Sequence, residues 1–174
     1  TASFKVMRWA DFTSFENRIS FPRLRFWAGA AEPAICPQGA TMDPLPLAGI
    51  RVVEFSHMVM GPTCGLILGD LGADVIKIEP VKGDSTRKLL GSGSGFFAAT
   101  NRNKKSLAMD VKDPRGREII LRLVADADVF SENFKSGTMD KLGFGQDALR
   151  TLNPRLVYVS HKGFLPGPYE NRTA

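Results

Sequence analysis

Basic side chains recur near the ends of apolar runs in this chain, and their placement points to anion binding. Arg102, Lys104 and Lys105 come just before an alternating stretch that starts at Ser106, and Lys112 follows it. Lys135 and Lys141 follow another apolar run that closes at Glu132. Any one of these alone reads as a solvated charge. Their repetition near strand ends supports a shared anion site. His57 stands where the first β-branched run ends, ahead of Gly61-Pro62. Two readings of it stand: a polar contact to a ligand, or a loop histidine hydrogen-bonded to backbone. The acids are less informative. Asp74 precedes a strand, Asp113 sits at a helix start, and Asp126 and Asp128 lie near another strand start, so none is assigned a catalytic role. Two histidines and the distant Cys36 and Cys64 do not make a usual zinc spacing, and no metal is expected.

The elements that would carry these residues are legible from periodicity. A β-branched run from Ile50 to Phe55 is followed by apolar residues at helical spacing through Leu71. Gly72 ends that helix, and a second β-branched run covers Val75 to Ile78. This is a strand–helix–strand unit with short connections, the kind that builds parallel sheets with ligands beyond the carboxyl ends of the strands. Strands are predicted at Arg51–Phe55, Val75–Ile78, Ser106–Met109, Val129–Ser131 and Leu156–Val159. Asp113-Pro114 opens a helix as N-cap and first residue, with Ile119, Ile120, Leu123 and Val124 on its apolar face. Shorter helices are expected at Met139–Leu142 and Gly145–Leu152. The expected fold class is α/β, a Rossmann-like parallel sheet with helices on both faces. The run Gly91-Ser92-Gly93-Ser94-Gly95 follows no clear strand and reads as a surface loop. Ser56 to Gly65 holds no G-x-G-x-x-G, which disfavours a dinucleotide enzyme.

The composition is globular, with 43% hydrophobic and 24% charged residues in 174, enough for one ordinary domain. The net charge of +5 suits a small anionic ligand as well as nucleic acid. Lysines and arginines are scattered among acids with no basic run, so no nucleic-acid partner is expected. No apolar run approaches the length of a membrane span, and no membrane partner is expected. Two distant cysteines argue against a disulfide framework and fit a reducing compartment.

Several longer stretches resemble the family III CoA-transferases of the CaiB/BaiF type, the group that includes formyl-CoA transferase. They are the LxGIRVVEF stretch starting at Leu47, Gly61-Pro62, LGADVIKIEP from Leu71, GDSTR from Gly83, NRNKKSLAMDVKDPRG from Asn101, ADVFSENFKSGTMDKLGFG from Ala127 and NPRLVYVSHKGF from Asn153. Their order and approximate spacing match the family from about Pro46 onward. The resemblance implies coenzyme A, carried as an acyl-CoA substrate, and a small carboxylic acid as partners, with a dicarboxylate favoured. It implies CoA contacts at Val59 and Met60 before the Gly-Pro pair, at Met109, Asp110, Val111 and Lys112, at Asn133, Phe134 and Lys135, and at Lys141. His57, Arg102 and Lys104 join that candidate set from their positions near strand ends. There are departures: formyl-CoA transferase has Gln-Ala where this chain has Val59-Met60, and arginine where it has Pro80. The first puts formate and oxalate specificity in doubt; the second removes an adenine-side contact.

The family's reaction uses a nucleophilic aspartate. It attacks the thioester to give a mixed anhydride, CoA thiolate returns to give an enzyme thioester, and the acceptor acid completes the exchange. That aspartate lies downstream of the KGF strand, and no position here matches it. The resemblance therefore implies the incomplete N-terminal part of a larger two-domain chain that forms an interlocked homodimer, and a 174-residue piece inactive by itself. A 2-methylacyl-CoA racemase of the same superfamily is the alternative, though Asn103 and Asn133 favour the transferase; a non-catalytic CoA-binding fragment is the third reading. The chain divides into residues 1–43, a poorly ordered or non-native extension, and residues 44–174, part of the large domain. A cytoplasmic location is expected, or a mitochondrial one if residues 1–41 are a transit segment. Arg8, Arg18, Arg23 and Arg25 favour such a segment, while Asp11, Glu16 and Glu32 oppose it.

Overall fold

The computed structural model describes residues 44–164, 167–169 and 172, so the extension expected over residues 1–43 lies outside the described residues. Five strands form one sheet: β1 (Arg51–Phe55), β2 (Asp74–Glu79), β3 (Lys104–Ala108), β4 (Val129–Glu132) and β5 (Val157–Ser160). Their order is β3-β2-β1-β4-β5, and every neighbouring pair is parallel. The helices are α1 (Met60–Asp70), α2 (Phe96–Thr100), α3 (Pro114–Ala125), α4 (Thr138–Leu142) and α5 (Gln146–Leu152). The expected α/β fold class is the observed one.

Alternation along β1 shows how the layers are assigned. Val53 and Phe55 pack with Phe130, with Ile120 and Val124 of α3, and with Leu149 of α5. Val52 points the other way, into a smaller cluster with Val75 and Leu68 of α1. A period-two strand thus feeds two cores, one under α3 and α5 and one under α1. The side chain of Asp113 accepts from the Arg115 N–H at 2.9 Å, and Pro114 takes the first turn, as the sequence predicts for α3. Gly91–Gly93 forms a short 3-10 turn before α2, consistent with its reading as a loop.

The α1 side of the sheet carries charge where a buried parallel strand normally carries hydrocarbon. Glu54 pairs in register with Lys77, which pairs with Ser106. Glu54 and Lys77 are essentially inaccessible, at 0% and 1% exposure. Lys77 Nζ lies 3.3 Å from Glu54 Oε1 and 3.2 Å from Asp84 Oδ2. Lys104 Nζ lies 2.8 Å from Glu54 Oε2 and donates to the Pro62 carbonyl at 2.7 Å. Gly65 lets α1 rest on this layer: a Cβ there would stand 1.7 Å from Glu54 Oε2. Removing charges from water is costly, so such a layer survives only when each charge finds partners.

Candidate functional site

Parallel strands with short crossovers leave their carboxyl ends facing the loops, and the described cleft opens there. It has a volume of about 400 Å³. Its apolar floor comes from Phe55 at the end of β1, Ile78 near the end of β2, Met109 just past β3, Phe134 past β4 and Leu142 of α4. Pro80, Val81 and Lys82 form one wall, and Asp110, Val111 and Lys112 another. Lys82 and Lys112 are both exposed at its rim. An apolar cleft with lysines at the edge suits an aromatic group that carries phosphates.

The walls are held by hydrogen bonds that leave few free acids nearby. Glu79 accepts Arg87 Nε and Nη2 at 2.8 Å each, the Asp84 N–H at 2.9 Å and the Ser106 hydroxyl at 2.7 Å. Burial opposes its ionisation, yet these donors outweigh that and hold the carboxyl below the usual range. Arg87 also lies over the Phe97 ring at 3.8 Å. Asp84 behaves in the same way: burial raises it, while the Thr86 N–H and hydroxyl and the Lys77 ammonium bring it down. Asp110 turns back to accept the Lys112 N–H at 2.9 Å. Glu132 is buried and receives Lys162 Nζ at 2.8 and 3.1 Å and the Phe134 N–H at 2.8 Å. Lys162 Nζ also donates to the Phe134 carbonyl, which fixes the turn that presents the Phe134 ring.

The loop from β1 to α1 borders the same edge. Its His57 ring packs against Phe134 with centroids 5.2 Å apart, and its Nδ1 is buried without a hydrogen-bond partner. Met58 adopts φ 64, a left-handed conformation that costs a non-glycine residue about 1–2 kcal/mol. Val59 and Met60 are exposed at the start of α1, whose first turn has no side-chain cap. The N–H groups there are available to an anion or a carbonyl.

The sequence-derived candidates divide by the end of the sheet on which they fall. Met109, Asp110, Val111, Lys112 and Phe134 line the cleft together, and His57 touches it through Phe134. Lys135 is exposed one residue past Phe134, and Lys141 is exposed on α4 beside Leu142. Asn133 is adjacent, but its carboxamide is engaged by the backbone of His57. Arg102 and Lys104 are not brought to the cleft, which corrects their grouping with the other basic residues. Both precede or open β3, so in a parallel sheet they belong to the amino end. Arg102 is held by Asp70 at 2.7 Å. Lys104 runs into the layer under α1, where burial lowers its pKa and Glu54 offsets part of the shift. The observed β3 starts at Lys104, earlier than the predicted Ser106, because the ladder with β2 already begins where Lys104 pairs with Val75.

Lys82 and the Glu54–Lys77 pair were missed. Lys82 is the first basic residue after β2, a position equivalent to Lys112 after β3. Glu54 and Lys77 carry opposite charges inside apolar strands, a signal of cross-strand pairing.

The model of CoA-transferase family III matches residues 47–174. Among curated proteins, an acyl-CoA transferase of Fusarium pseudograminearum is 44% identical over 157 residues, covering 82% of this chain and 33% of that protein. A formyl-CoA:oxalate CoA-transferase of Rhodopseudomonas palustris is 44% identical over 130 residues, covering 72% of this chain and 31% of that protein. The crystal structure of a CaiB/BaiF family protein from Brucella suis is similar with a TM-score of 0.69 at 44% identity, covering 75% of this chain and 37% of the other. The chain thus spans about a third of the length of these curated relatives.

Proposed function

This chain belongs to CoA-transferase family III, and we propose that it supplies the coenzyme A-binding part of an enzyme that moves CoA from an acyl-CoA to a free carboxylic acid. The observation that carries this reading is the cleft at the carboxyl ends of β1 to β4. Its apolar floor of Phe55, Ile78, Met109, Phe134 and Leu142 is suited to the adenine, and Lys82 and Lys112 at the rim are suited to the nucleotide phosphates. Lys135 and Lys141 extend the same positive edge. The pantetheine arm would run along the β1–α1 loop, past His57, Val59 and Met60, toward the uncapped start of α1. There the backbone N–H groups suit its amide carbonyls or the thioester oxygen.

Among the described residues, the carboxylates that line or adjoin the cleft all accept hydrogen bonds from the fold. Glu79 and Glu132 are saturated with donors, and Asp110 is turned to its own loop. The reading therefore places the attacking aspartate outside the described residues. Its carboxylate would attack the thioester carbon and expel CoA thiolate to leave a mixed anhydride. The thiolate would then attack the aspartyl carbonyl, releasing the donor's carboxylate and leaving an enzyme thioester. The acceptor carboxylate would run the same two steps in reverse to take the CoA and free the aspartate. The 174-residue chain by itself would bind CoA without transferring it. A small dicarboxylic acid is the proposed acyl partner, and a homodimer the proposed assembly of the longer protein.

Calorimetric titration of CoA tests the core of this proposal. Lys112→Glu should weaken binding by about 1–3 kcal/mol, the value of a charge-assisted contact replaced by repulsion. Unchanged affinity in Lys112→Glu and in Lys82→Glu would move the nucleotide away from this cleft.

A further inference from the structure

The strained loop between β1 and α1 is held from outside, and one side chain does most of the holding. Backbone pairing of β1 with β4 runs out at Phe55 and Glu132. The Asn133 N–H still reaches the Phe55 carbonyl at 3.3 Å. Beyond that point the Asn133 carboxamide replaces the ladder: Oδ1 accepts the His57 N–H at 3.0 Å, and Nδ2 donates to the His57 carbonyl at 2.8 Å. The next residue is Met58, with its positive φ, whose N–H donates to Thr86 Oγ1 at 3.1 Å. A residue in the left-handed region persists only where its surroundings over-determine it, and here the restraint comes from both sides. The carbonyl and an N–H of the Asn133 amide are thereby committed within the fold.

We propose that Asn133 is a positioning residue: its carboxamide clamps the backbone of His57, and so holds His57, Val59 and the first turn of α1 beside the cleft, with His57 against Phe134. It acts through the loop rather than through a side-chain contact to CoA. The inference rests on the CoA-binding reading above and deepens it, because it assigns to the fold an amide that the resemblance assigns to the ligand.

Two substitutions separate these roles. Asn133→Ala removes the clamp. Asn133→Asp keeps its shape, and only the protonated acid reproduces the pattern of one acceptor and one donor; the ionised acid turns an oxygen against the His57 carbonyl. Amide hydrogen exchange should be at least about tenfold faster at His57 and Met58 in Asn133→Ala, with Val53 to Phe55 unchanged. The CoA dissociation constant should rise about tenfold in Asn133→Ala at any pH. Asn133→Asp, ionised across the neutral range, should speed exchange at His57 and Met58 as alanine does.

Unaltered exchange at His57 and Met58 overturns the clamp. Faster exchange there with parental CoA affinity overturns its part in binding. Parental exchange at His57 and Met58 in both variants, together with weakened CoA binding, assigns the amide to a direct ligand contact and also overturns the proposal. If the parent itself fails to bind CoA, the cleft reading is refuted, while the exchange pattern still decides whether the clamp exists.

Discussion

Replacing Gly65 with alanine puts the buried charge layer to a quantitative test. In an ordinary helix interior this change is favourable by about 1 kcal/mol, because alanine restricts the unfolded chain and glycine does not. Here the new methyl would stand 1.7 Å from Glu54 Oε2, 2.9 Å from its carboxyl carbon and 3.0 Å from Lys104 Nζ. Either α1 lifts from the sheet or the Glu54 carboxylate leaves Lys104 and Lys77. Neither partner has room to follow, since Glu54 and Lys77 are buried and Lys104 Nζ is fixed to the Pro62 carbonyl. Breaking a buried ion pair costs about 3–5 kcal/mol. Subtracting the helix-propensity gain leaves a net destabilisation of about 2–4 kcal/mol. Urea unfolding followed by circular dichroism measures it. Gly69→Ala is the control, because its methyl would meet nothing closer than the Asn103 carbonyl at 3.3 Å, and its change should stay within about 1 kcal/mol of zero. A Gly65→Ala protein as stable as the parent would refute the close approach of α1 to Glu54.

Acid should destabilise the fold through Glu79 and Asp84. Both ionise more readily than their ordinary values of 4.5 and 3.8, so their contribution is complete above those values and is lost as pH falls through the lower folded ones. The urea midpoint should thus hold from neutrality to about pH 5 and fall below about pH 4. Glu79→Gln should flatten that fall, and an equally steep one in the variant would remove Glu79 from the account. The two ends of the sheet can be told apart by charge reversal. Lys82→Glu should weaken CoA binding about tenfold or more by calorimetry, whereas Arg102→Glu, beside Asp70 at the amino end, should leave it within about twofold. Equal effects from the two would refute the assignment of the cleft to the carboxyl edge. Phe134→Ala should weaken CoA by about 1–3 kcal/mol through the lost stacking surface, with no change in the salt dependence of binding.

Local chemistry alone was enough to read the alternation of strands and helices. β-Branched runs at Val52–Val53 and Val75–Ile76 report strands wherever they sit, and Asp113-Pro114 caps a helix through contacts within its own turn. Of the candidates just past strands, Lys112 was legible from its place at a strand end, since a parallel sheet gathers such ends, whereas Met109, Asp110, Val111 and Phe134 entered only through the family resemblance. The edge to which each basic residue belongs came only with the fold. Lys104 and Lys112 look alike in sequence, yet they lie at opposite ends of β3, and one is buried against Glu54 while the other meets solvent. Nor could sequence show that Glu54 lies between two lysines drawn from β2 and β3, or that the Asn133 carboxamide closes on His57 from 76 positions away. Such pairings depend on strand order and register, which are set by the packing of the whole sheet. A polar side chain declares its type in the sequence, but its partner exists only once distant strands lie side by side.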